Sequence, residues 1–265
     1  MAIRQSRWFE IVPGAKGGSP RLFCFPYAGG SAQVFRSWQK YFSPDVTLCL
    51  AHLPGRAMRI GEPPFTRLKP LVRALVDEII PQLQMPFAFW GHSMGSLISF
   101  ELARELRRQG QPTPLALFVS GRSAPQIPDP NPPTFSLPEK EFIAELRRLN
   151  GTPKELLDSQ ELKQLFLPTI RADFELVDTY VYEPGEPLGC SIHAYGGLED
   201  SPVPVDNLKA WQKQTLRPCV VRMFPGDHFF IHSYPADVIN MLRRDVFTYL
   251  RQKHAGFQSE QALNQ

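Results

Sequence analysis

The sequence predicts an α/β fold, in which a mostly parallel central sheet is flanked by helices within one domain spanning residues 1–265. Short apolar runs of strand length alternate with segments whose apolar residues recur at helical spacing, which is typical of successive βα units. The strand-like runs are apolar throughout, as expected of strands that are buried on both faces of a parallel sheet. Hydrophobic residues make up 43% of the chain and charged residues 21%, so the chain can bury a sizeable core.

The individual elements follow from the same pattern. Each predicted strand is an apolar run bounded by turn-forming or polar residues: RLFCFPYA (21–28), VTLCLAHL (46–53), FAFWGH (87–92), LALFVSG (115–121), CSIHAYG (190–196) and CVVRMF (219–224). The predicted helices, in which apolar residues lie three and four apart, are near 31–42, 66–83, 94–109, 206–215 and 235–252. The polar tail, residues 255–265, is predicted to be disordered.

The connection between Gly121 and Cys190 is far longer than one crossover helix requires. It opens with six prolines between positions 125 and 138. Two capping-box patterns predict helix starts, at Ser136-x-x-Glu139 and at Thr152-x-x-Glu155 with Pro153 as the first helical residue, and a third helical pattern covers 164–181. We therefore predict a helical lid subdomain over residues 122–187. The alternative is a rigid insertion without a role at the site.

Several classes of protein do not fit the composition. No apolar run approaches the about 18 residues that span a membrane, and the N-terminus has no signal-peptide core, so a cytoplasmic protein without membrane contact is expected. A net charge of +3 gives no support for nucleic-acid binding. The four cysteines lie far apart within apolar runs, which predicts buried free thiols and neither a metal site nor another cofactor.

A G-x-S-x-G motif, Gly91-His92-Ser93-Met94-Gly95, joins a predicted strand to a predicted helix. This context is the one in which a nucleophilic serine is exposed on a sharp strand-to-helix turn. Glycines on both sides permit a strained backbone and a close approach of helix to strand. We predict that Ser93 is a nucleophile; the alternative is an ordinary serine between two turn glycines.

A serine nucleophile needs a base, and His228 is the predicted one. It comes just after the strand 219–224, where a loop at the carboxyl end of the sheet would present it. Three other histidines also follow Ser93 in the chain. His232 lies on the outgoing turn, His193 lies inside a strand and is predicted to pack in the core, and His254 lies in the polar tail.

The base needs an acid to orient it, and Asp200 directly follows the strand 190–196, with Glu199 as the alternative. Asp227 adjoins His228 and would have difficulty reaching back to its ring. Other carboxylates have different predicted roles: solvated or lid-packing charges for Asp173 and Asp178, and a helix N-cap for Asp206.

An oxyanion hole needs backbone N–H donors from the residue after the nucleophile and from the loop after an early strand. Met94 takes the first place. The second falls in FPYAGGS (25–31), where Ala28 or Tyr27 would donate, unless this is an ordinary glycine-rich turn.

Five segments occur in a characteristic order: FPYAGGS (25–31), LPGRAMRIGEP (53–63), FWGHSMGS (89–96), IRADFELVDTY (170–180) and FPGDHFF (224–230). Over roughly residues 20–250 the chain thereby resembles the type II thioesterases, stand-alone enzymes of the α/β-hydrolase fold. They serve nonribosomal peptide and polyketide synthases and include the medium-chain thioesterase of fatty acid synthesis. By position, the resemblance implies Ser93 as nucleophile, Asp200 as acid, His228 as base, and Ala28 and Met94 as oxyanion donors.

The resemblance further implies hydrolysis of acyl groups from the phosphopantetheine arm of acyl or peptidyl carrier proteins, and a mobile lid that shapes the acyl pocket. Two alternatives stay open: an oxygen-ester hydrolase or acyltransferase of the same fold, and a binding protein with a vestigial site. Carrier proteins are typically acidic, and basic pairs that could contact them occur at Arg107-Arg108, Arg147-Arg148 and Arg243-Arg244, although each pair could equally be a solvated helix face.

Overall fold

Seven strands form one central sheet in the computed structural model, which describes residues 6–263, with side chains described as far as Tyr249. The strands are β1 (Phe9–Ile11), β2 (Arg21–Phe25), β3 (Thr47–Ala51), β4 (Phe87–His92), β5 (Ala116–Ser120), β6 (Ser191–Gly197) and β7 (Cys219–Phe224). Their order is β1-β3-β2-β4-β5-β6-β7, and every pair is parallel except β1 with β3. The mostly parallel sheet predicted from the sequence is confirmed.

Helices cover both faces of this sheet. They are α1 (Gln33–Arg36), α2 (Gln39–Phe42), α3 (Leu68–Ile79), α4 (Met94–Arg108), α5 (Glu139–Leu149), α6 (Lys154–Asp158), α7 (Gln160–Asp178), α8 (Val205–Lys209), α9 (Phe230–Ser233) and α10 (Pro235–Leu263). Short 3-10 helices also occur at Ala57–Arg59, Ile80–Gln82 and Ala210–Gln214. None of the helices within the described ranges is long and apolar enough to cross a membrane.

Several predicted helices differ from the observed ones. The helix predicted over 31–42 is two short helices, and the one predicted over 206–215 is α8 followed by a 3-10 turn. Asp206 is not an N-cap, because the cap position of α8 is Pro204. The helix α10 continues to Leu263, into the tail predicted to be disordered, and residues 264–265 lie outside the described residues.

Two apolar clusters fill the space between the sheet and its helices, one on each face. One contains Phe23, Phe89 and Leu97 beneath α3 and α4, and the other contains Trp38, Trp90 and Leu242 beneath α1, α2 and α10. Strand residues alternate between these clusters, because successive side chains of a strand point to opposite faces. The continuous apolar runs in the sequence are thus explained by burial on both faces.

The cysteines and His193 belong to this core. Cys24, Cys49 and Cys190 are buried, whereas Cys219 is half-buried, and burial raises the pKa of the Cys219 thiol to about 11. His193 is buried as predicted and contacts Asp245 on α10 through Nδ1 at 3.2 Å.

Between β5 and β6, helices α5, α6 and α7 form a small unit with an apolar cluster of its own: Phe142, Leu146, Leu157, Leu167 and Ile170. Neither predicted capping box forms. The N-cap residues are Pro138 for α5 and Pro153 for α6, and their carbonyls accept from Phe142 N at 2.9 Å and Leu157 N at 3.3 Å. Ser136 Oγ donates instead to the Pro133 carbonyl. The prolines therefore start both helices, without side-chain caps.

Candidate active site

Ser93 lies on the turn between β4 and α4 with φ 52° and ψ −111°, a conformation that side-chain-bearing residues rarely adopt. The flanking glycines make the turn possible. A Cβ atom on Gly91 would lie 2.1 Å from the Gly95 carbonyl oxygen, and one on Gly95 would lie 2.1 Å from the Phe25 carbonyl oxygen. The motif is therefore a sharp elbow that presses the start of α4 against the end of β2.

His228 and Asp200 lie together at the carboxyl edge of the sheet. Asp200 follows β6, His228 follows the neighbouring β7, and His228 Nδ1 is 2.8 Å from Asp200 Oδ2. Asp200 is 4% exposed. Because a carboxylate can only accept, Nδ1 carries the proton in this pair, which leaves Nε2 of the neutral ring as a proton acceptor.

Ser93 and His228 both border the end of β5. The Ser93 N–H donates to the Ser120 carbonyl at 2.7 Å, and a Cβ atom on the next residue, Gly121, would lie 3.3 Å from His228 Cε1. No hydrogen bond joins Ser93 Oγ to His228 in the part of the chain that the structure describes. Such catalytic hydrogen bonds are often long before substrate binds.

The loop after β2 forms a tight turn beside the elbow. The Gly30 N–H donates to the Tyr27 carbonyl at 2.9 Å, and Gly29 has φ 74°, which together define a type II turn. The N–H of Ala28, the second residue of such a turn, takes no part in the turn hydrogen bond. The N–H of Met94 opens α4 and has no partner within that helix. Both donors are thus available at adjoining segments.

His92, which sequence analysis did not assign to the site, is a fully buried neighbour of His228. Its Nδ1 is 2.8 Å from Ser120 Oγ, and its ring centroid is 5.2 Å from that of His228. Burial, followed by the nearby His228 and His232, lowers the pKa of His92 well below its usual value. The ring is therefore neutral and packs beneath the His228 loop. Its position directly before Ser93 is the sequence signal that could have indicated this.

The remaining candidates have other partners. His232 Nε2 is 2.9 Å from the Tyr27 hydroxyl, and Asp227 Oδ1 accepts from the Phe229 N–H at 2.8 Å. Asp178, predicted to be solvated or to pack in the lid, accepts the N–H groups of Thr134 and Phe135.

Asp173, predicted to be a solvated or lid-packing charge, is buried and accepts the Gly29 N–H at 2.7 Å. It thus connects α7 to the turn that contains Ala28. Arg56, which sequence analysis did not assign, lies beside it as its ion-pair partner.

With this geometry established, the comparisons with known proteins agree on a family. The thioesterase-domain family profile matches residues 20–246. The chain belongs to the thioesterase family. The gramicidin S biosynthesis protein GrsT of Aneurinibacillus migulanus is 43% identical over 94% of this thioesterase and 97% of that protein. The medium-chain S-acyl fatty acid synthase thioesterase of Rattus norvegicus is 33% identical over 80% and 81% of the two chains.

A solved structure agrees with the family and the fold. The type II thioesterase BorB from the borrelidin biosynthetic cluster superimposes with a TM-score of 0.82 at 32% identity, over 89% of this thioesterase and 96% of that chain. The α/β-hydrolase fold that the sequence resemblance implied is therefore confirmed.

One relative is named as a dehydrogenase and not as a thioesterase. The linear gramicidin dehydrogenase LgrE of Brevibacillus parabrevis is 42% identical over 94% of this thioesterase and 95% of that protein. Dinucleotide-binding loops of the Rossmann type carry the fingerprint G-x-G-x-x-G. None of the 18 glycines in this sequence has another glycine two positions away, so the fingerprint is absent. The loop after β2 is instead the type II turn described above.

Proposed function

We propose that this thioesterase hydrolyses acyl groups from the phosphopantetheine arm of acyl or peptidyl carrier proteins, through an acyl-enzyme on Ser93. The observation that carries the proposal is the His228–Asp200 pair at 2.8 Å, at the sheet edge where the strained Ser93 lies. The family membership supports thioester hydrolysis. We also propose that this thioesterase is cytoplasmic.

The proposed reaction has two halves. Ser93 Oγ attacks the thioester carbonyl while His228 Nε2 takes the hydroxyl proton, and the N–H groups of Ala28 and Met94 stabilise the oxyanion that forms. The carbon–sulfur bond then breaks, the thiol leaves with that proton, and the acyl group stays on Ser93. In the second half, His228 deprotonates a water that attacks the acyl-enzyme, and Ser93 regains its proton as the carboxylic acid departs. Asp200 holds the His228 ring in the required tautomer throughout.

The carrier-bound substrate is supported by what the relatives are called. GrsT is named for gramicidin S biosynthesis, the rat relative for a fatty acid synthase, and BorB for a borrelidin biosynthetic cluster. The geometry of Ser93, His228 and Asp200 is shared by oxygen-ester hydrolases and acyltransferases of this fold, so the leaving group has to be tested directly.

We expect the same acyl group to react in a fixed order on three scaffolds. A thiol has a pKa of about 8.5 and its thiolate departs with little help, whereas an alkoxide needs a well-placed proton from His228. A site that does not deliver a proton precisely to the leaving group should therefore have its lowest kcat/KM with the oxygen ester. We expect a higher kcat/KM with the pantetheine thioester and the highest with the holo-carrier thioester. Steady-state kinetics with the three substrates measure this order. Preference for the oxygen ester over both thioesters would establish the esterase alternative.

The basic pairs differ in their partners. Arg108 pairs with Glu105 and Arg148 with Glu145, Arg147 pairs with Asp158, and Arg107 donates to the carbonyls of Glu186 and Pro187. Arg243 and Arg244 on α10 are exposed, and neither is ion-paired with a carboxylate among the described residues. We therefore place carrier contact at Arg243–Arg244.

The scaffold experiment includes a charge test of this contact. Added salt should lower kcat/KM for the acyl-carrier more than for the small acyl-pantetheine, because salt screens long-range attraction. Arg244→Gln should show the same selective loss, and the matched control Arg108→Gln should not. An equal salt effect on both substrates would remove the basic pair from the proposal.

We propose that α5, α6 and the first half of α7 act as a lid over the site. The loop between α5 and α6 covers the residue after His228, since a Cβ atom on Gly151 would lie 1.9 Å from the Phe229 ring, and Asn150 Nδ2 is 3.3 Å from Asp227 Oδ2. Within this unit, Phe142 and Leu146 pack inside the lid's own apolar cluster, whereas Leu165 is 51% exposed. Phe174 packs edge-on against Phe142.

Hydrogen exchange should distinguish a moving lid from a rigid insertion. We expect amides of α5 and α6 to exchange faster than those of the sheet, because few of their side chains are buried outside the lid's own cluster. Their exchange should slow when an acyl phosphonate occupies Ser93. The half of α7 after Pro168 should stay protected in both states, because it packs on the loops at Gly29 and Gly55. Equal protection throughout, unchanged by the phosphonate, would make the insert a rigid addition.

A further inference from the structure

Two of the family-like segments, LPGRAMRIGEP (53–63) and IRADFELVDTY (170–180), supply none of the catalytic residues proposed above. In the structure they meet in one ion pair. Arg56 donates from Nη1 to Asp173 Oδ2 and from Nη2 to Asp173 Oδ1, both at 2.7 Å. Arg56 is 7% exposed and Asp173 2%. Burying two charges is costly, and a bidentate geometry is the arrangement that best offsets this cost.

The same ion pair holds the turn that contains Ala28. Asp173 Oδ2 accepts the Gly29 N–H at 2.7 Å, and Arg56 Nη1 donates to the Gly30 carbonyl at 3.1 Å. These bonds fix the Ala28–Gly29 peptide, which is the central peptide that differs in orientation between type I and type II turns, and the Gly30–Ser31 peptide that leaves the turn. The turn that contains the Ala28 N–H is thereby held by two side chains outside it.

The charges suit a site in which a negative oxygen develops. A carboxylate alone could hold the Gly29 N–H, but its charge would repel an oxyanion bound at the neighbouring Ala28 N–H. Arg56 cancels that charge at 2.7 Å while adding its own bond to the turn. A neutral pair therefore positions the turn without opposing oxyanion formation.

Asp173 belongs to α7, so the pair also connects the lid to the turn. Two further contacts join the same surfaces: Thr169 Oγ1 donates to the Gly55 carbonyl at 2.7 Å, and a Cβ atom on Gly29 would lie 3.1 Å from Ile170 Cγ1. The half of α7 after Pro168 is thus fixed against the loops that border the site.

We propose that Arg56 and Asp173 are positioning residues that hold the 27–30 turn in the conformation in which the Ala28 N–H donates to the oxyanion. This inference rests on the proposed function, and in particular on the proposed role of Ala28. It assigns a chemical role to the two segments that had none. Neither side chain is required to touch the substrate.

The test compares transition-state stabilisation with substrate binding. In the charge-free variant Arg56→Gln/Asp173→Asn, kcat on an acyl-pantetheine should fall about tenfold to hundredfold, the range that small misplacement of a catalytic group produces. KM should change little. The affinity for a matched acyl trifluoromethyl ketone, which forms a tetrahedral adduct on serine, should fall by the same factor as kcat. Thr169→Val, which removes another buried contact of α7, is the control and should keep wild-type kcat and inhibitor affinity.

The outcomes separate this inference from the proposed function. The proposed function itself would be refuted if the ketone did not inhibit the wild-type enzyme and the Ser93→Ala variant remained active. An inhibited wild type together with a charge-free variant of unchanged kcat would overturn the positioning role. So would equal losses in Thr169→Val, since general lid packing would then explain them.

Folding of the variant is checked by thermal unfolding. If the charge-free variant does not fold, Arg56→Lys decides, because an ammonium group cannot make the bidentate pair and the Gly30 bond with the same geometry. We then expect about a tenfold loss in kcat, with the ketone affinity falling in parallel. An unchanged kcat in a folded Arg56→Lys variant would overturn the proposal.

Discussion

The single variants Ser93→Ala and His228→Ala should each have a kcat on a thioester that is about four orders of magnitude or more below that of the wild type. Ser93 is the only proposed attachment point for the acyl group, and without His228 its hydroxyl keeps its proton. Because the two side chains act as a unit, the double variant should be little worse than either single one. Steady-state and single-turnover rates on one acyl-pantetheine measure all three.

Asp200→Asn should cost less than either change, because the ring of His228 stays in place and only its tautomer and charge stabilisation suffer. The matched control is Glu199→Gln, which alters the neighbouring carboxylate and should leave kcat near the wild-type value. Near-normal turnover in His228→Ala would remove His228 from the mechanism, and a larger loss in Glu199→Gln than in Asp200→Asn would reverse the assignment of the acid.

Gly95→Ala should have a large effect on the fold. The new Cβ atom would lie 2.1 Å from the Phe25 carbonyl oxygen and 3.0 Å from that of Pro26, so α4 or the end of β2 has to shift. Backbone atoms cannot rotate away as a side chain can. We expect the free energy of unfolding to fall by about 3 kcal/mol. Any folded enzyme should lose kcat about a hundredfold, because Met94 opens α4 and Ala28 lies in the loop that follows β2, so both proposed oxyanion donors would be displaced.

Gly61→Ala is the control for this change, since apart from Gly61 itself and its two chain neighbours no atom lies within 4 Å of the position where its Cβ would be. Denaturant unfolding of both variants, with kcat measured on the folded fraction, makes the comparison. Wild-type stability and activity in Gly95→Ala would show that the elbow is not packed against β2 as described.

Strong local patterns made most of the sheet and the candidate site predictable. Strands that are buried on both faces appear in the sequence as continuous apolar runs. A G-x-S-x-G motif between such a run and a helical pattern predicts a sharp strand-to-helix turn. Asp200 and His228 could be chosen because parallel strands deliver the loops that follow them to one edge. The strand β1 could not be found, because it is three residues long and depends on pairing with β3.

The ion-pair partner of Asp173 could not be predicted from the local sequence pattern. Asp173 lies three residues after Ile170 and three before Leu176, on the buried face of α7, and a carboxylate in an apolar stripe signals a buried partner. Its partner Arg56 is 117 positions earlier, in a loop without regular pattern. Local periodicity therefore indicates that a partner exists, and only the three-dimensional fold identifies it.

The residues that begin the lid helices α5 and α6 also could not be predicted from the sequence. The sequence pattern predicts Pro153 as the first helical residue of α6, but Pro153 instead occupies the cap position, and Pro138 does the same for α5. Their backbone carbonyls start the helices, so the nearby Ser136 and Thr152 side chains are not needed as caps. The positions of the helices were predictable from the pattern, whereas the residues that begin them depended on backbone geometry.

In the proposed reaction, an acyl group passes from a carrier thioester to Ser93. The most direct measurement is a rapid-quench reaction of the enzyme with stoichiometric acyl-holo-carrier, followed by proteolysis and mass spectrometry of the peptide that contains Ser93. The account predicts the acyl mass on Ser93 in the wild type, formed together with free carrier thiol, and no adduct or thiol release above background in Ser93→Ala. An acyl mass on another residue, or thiol release at the wild-type rate from Ser93→Ala, would contradict it.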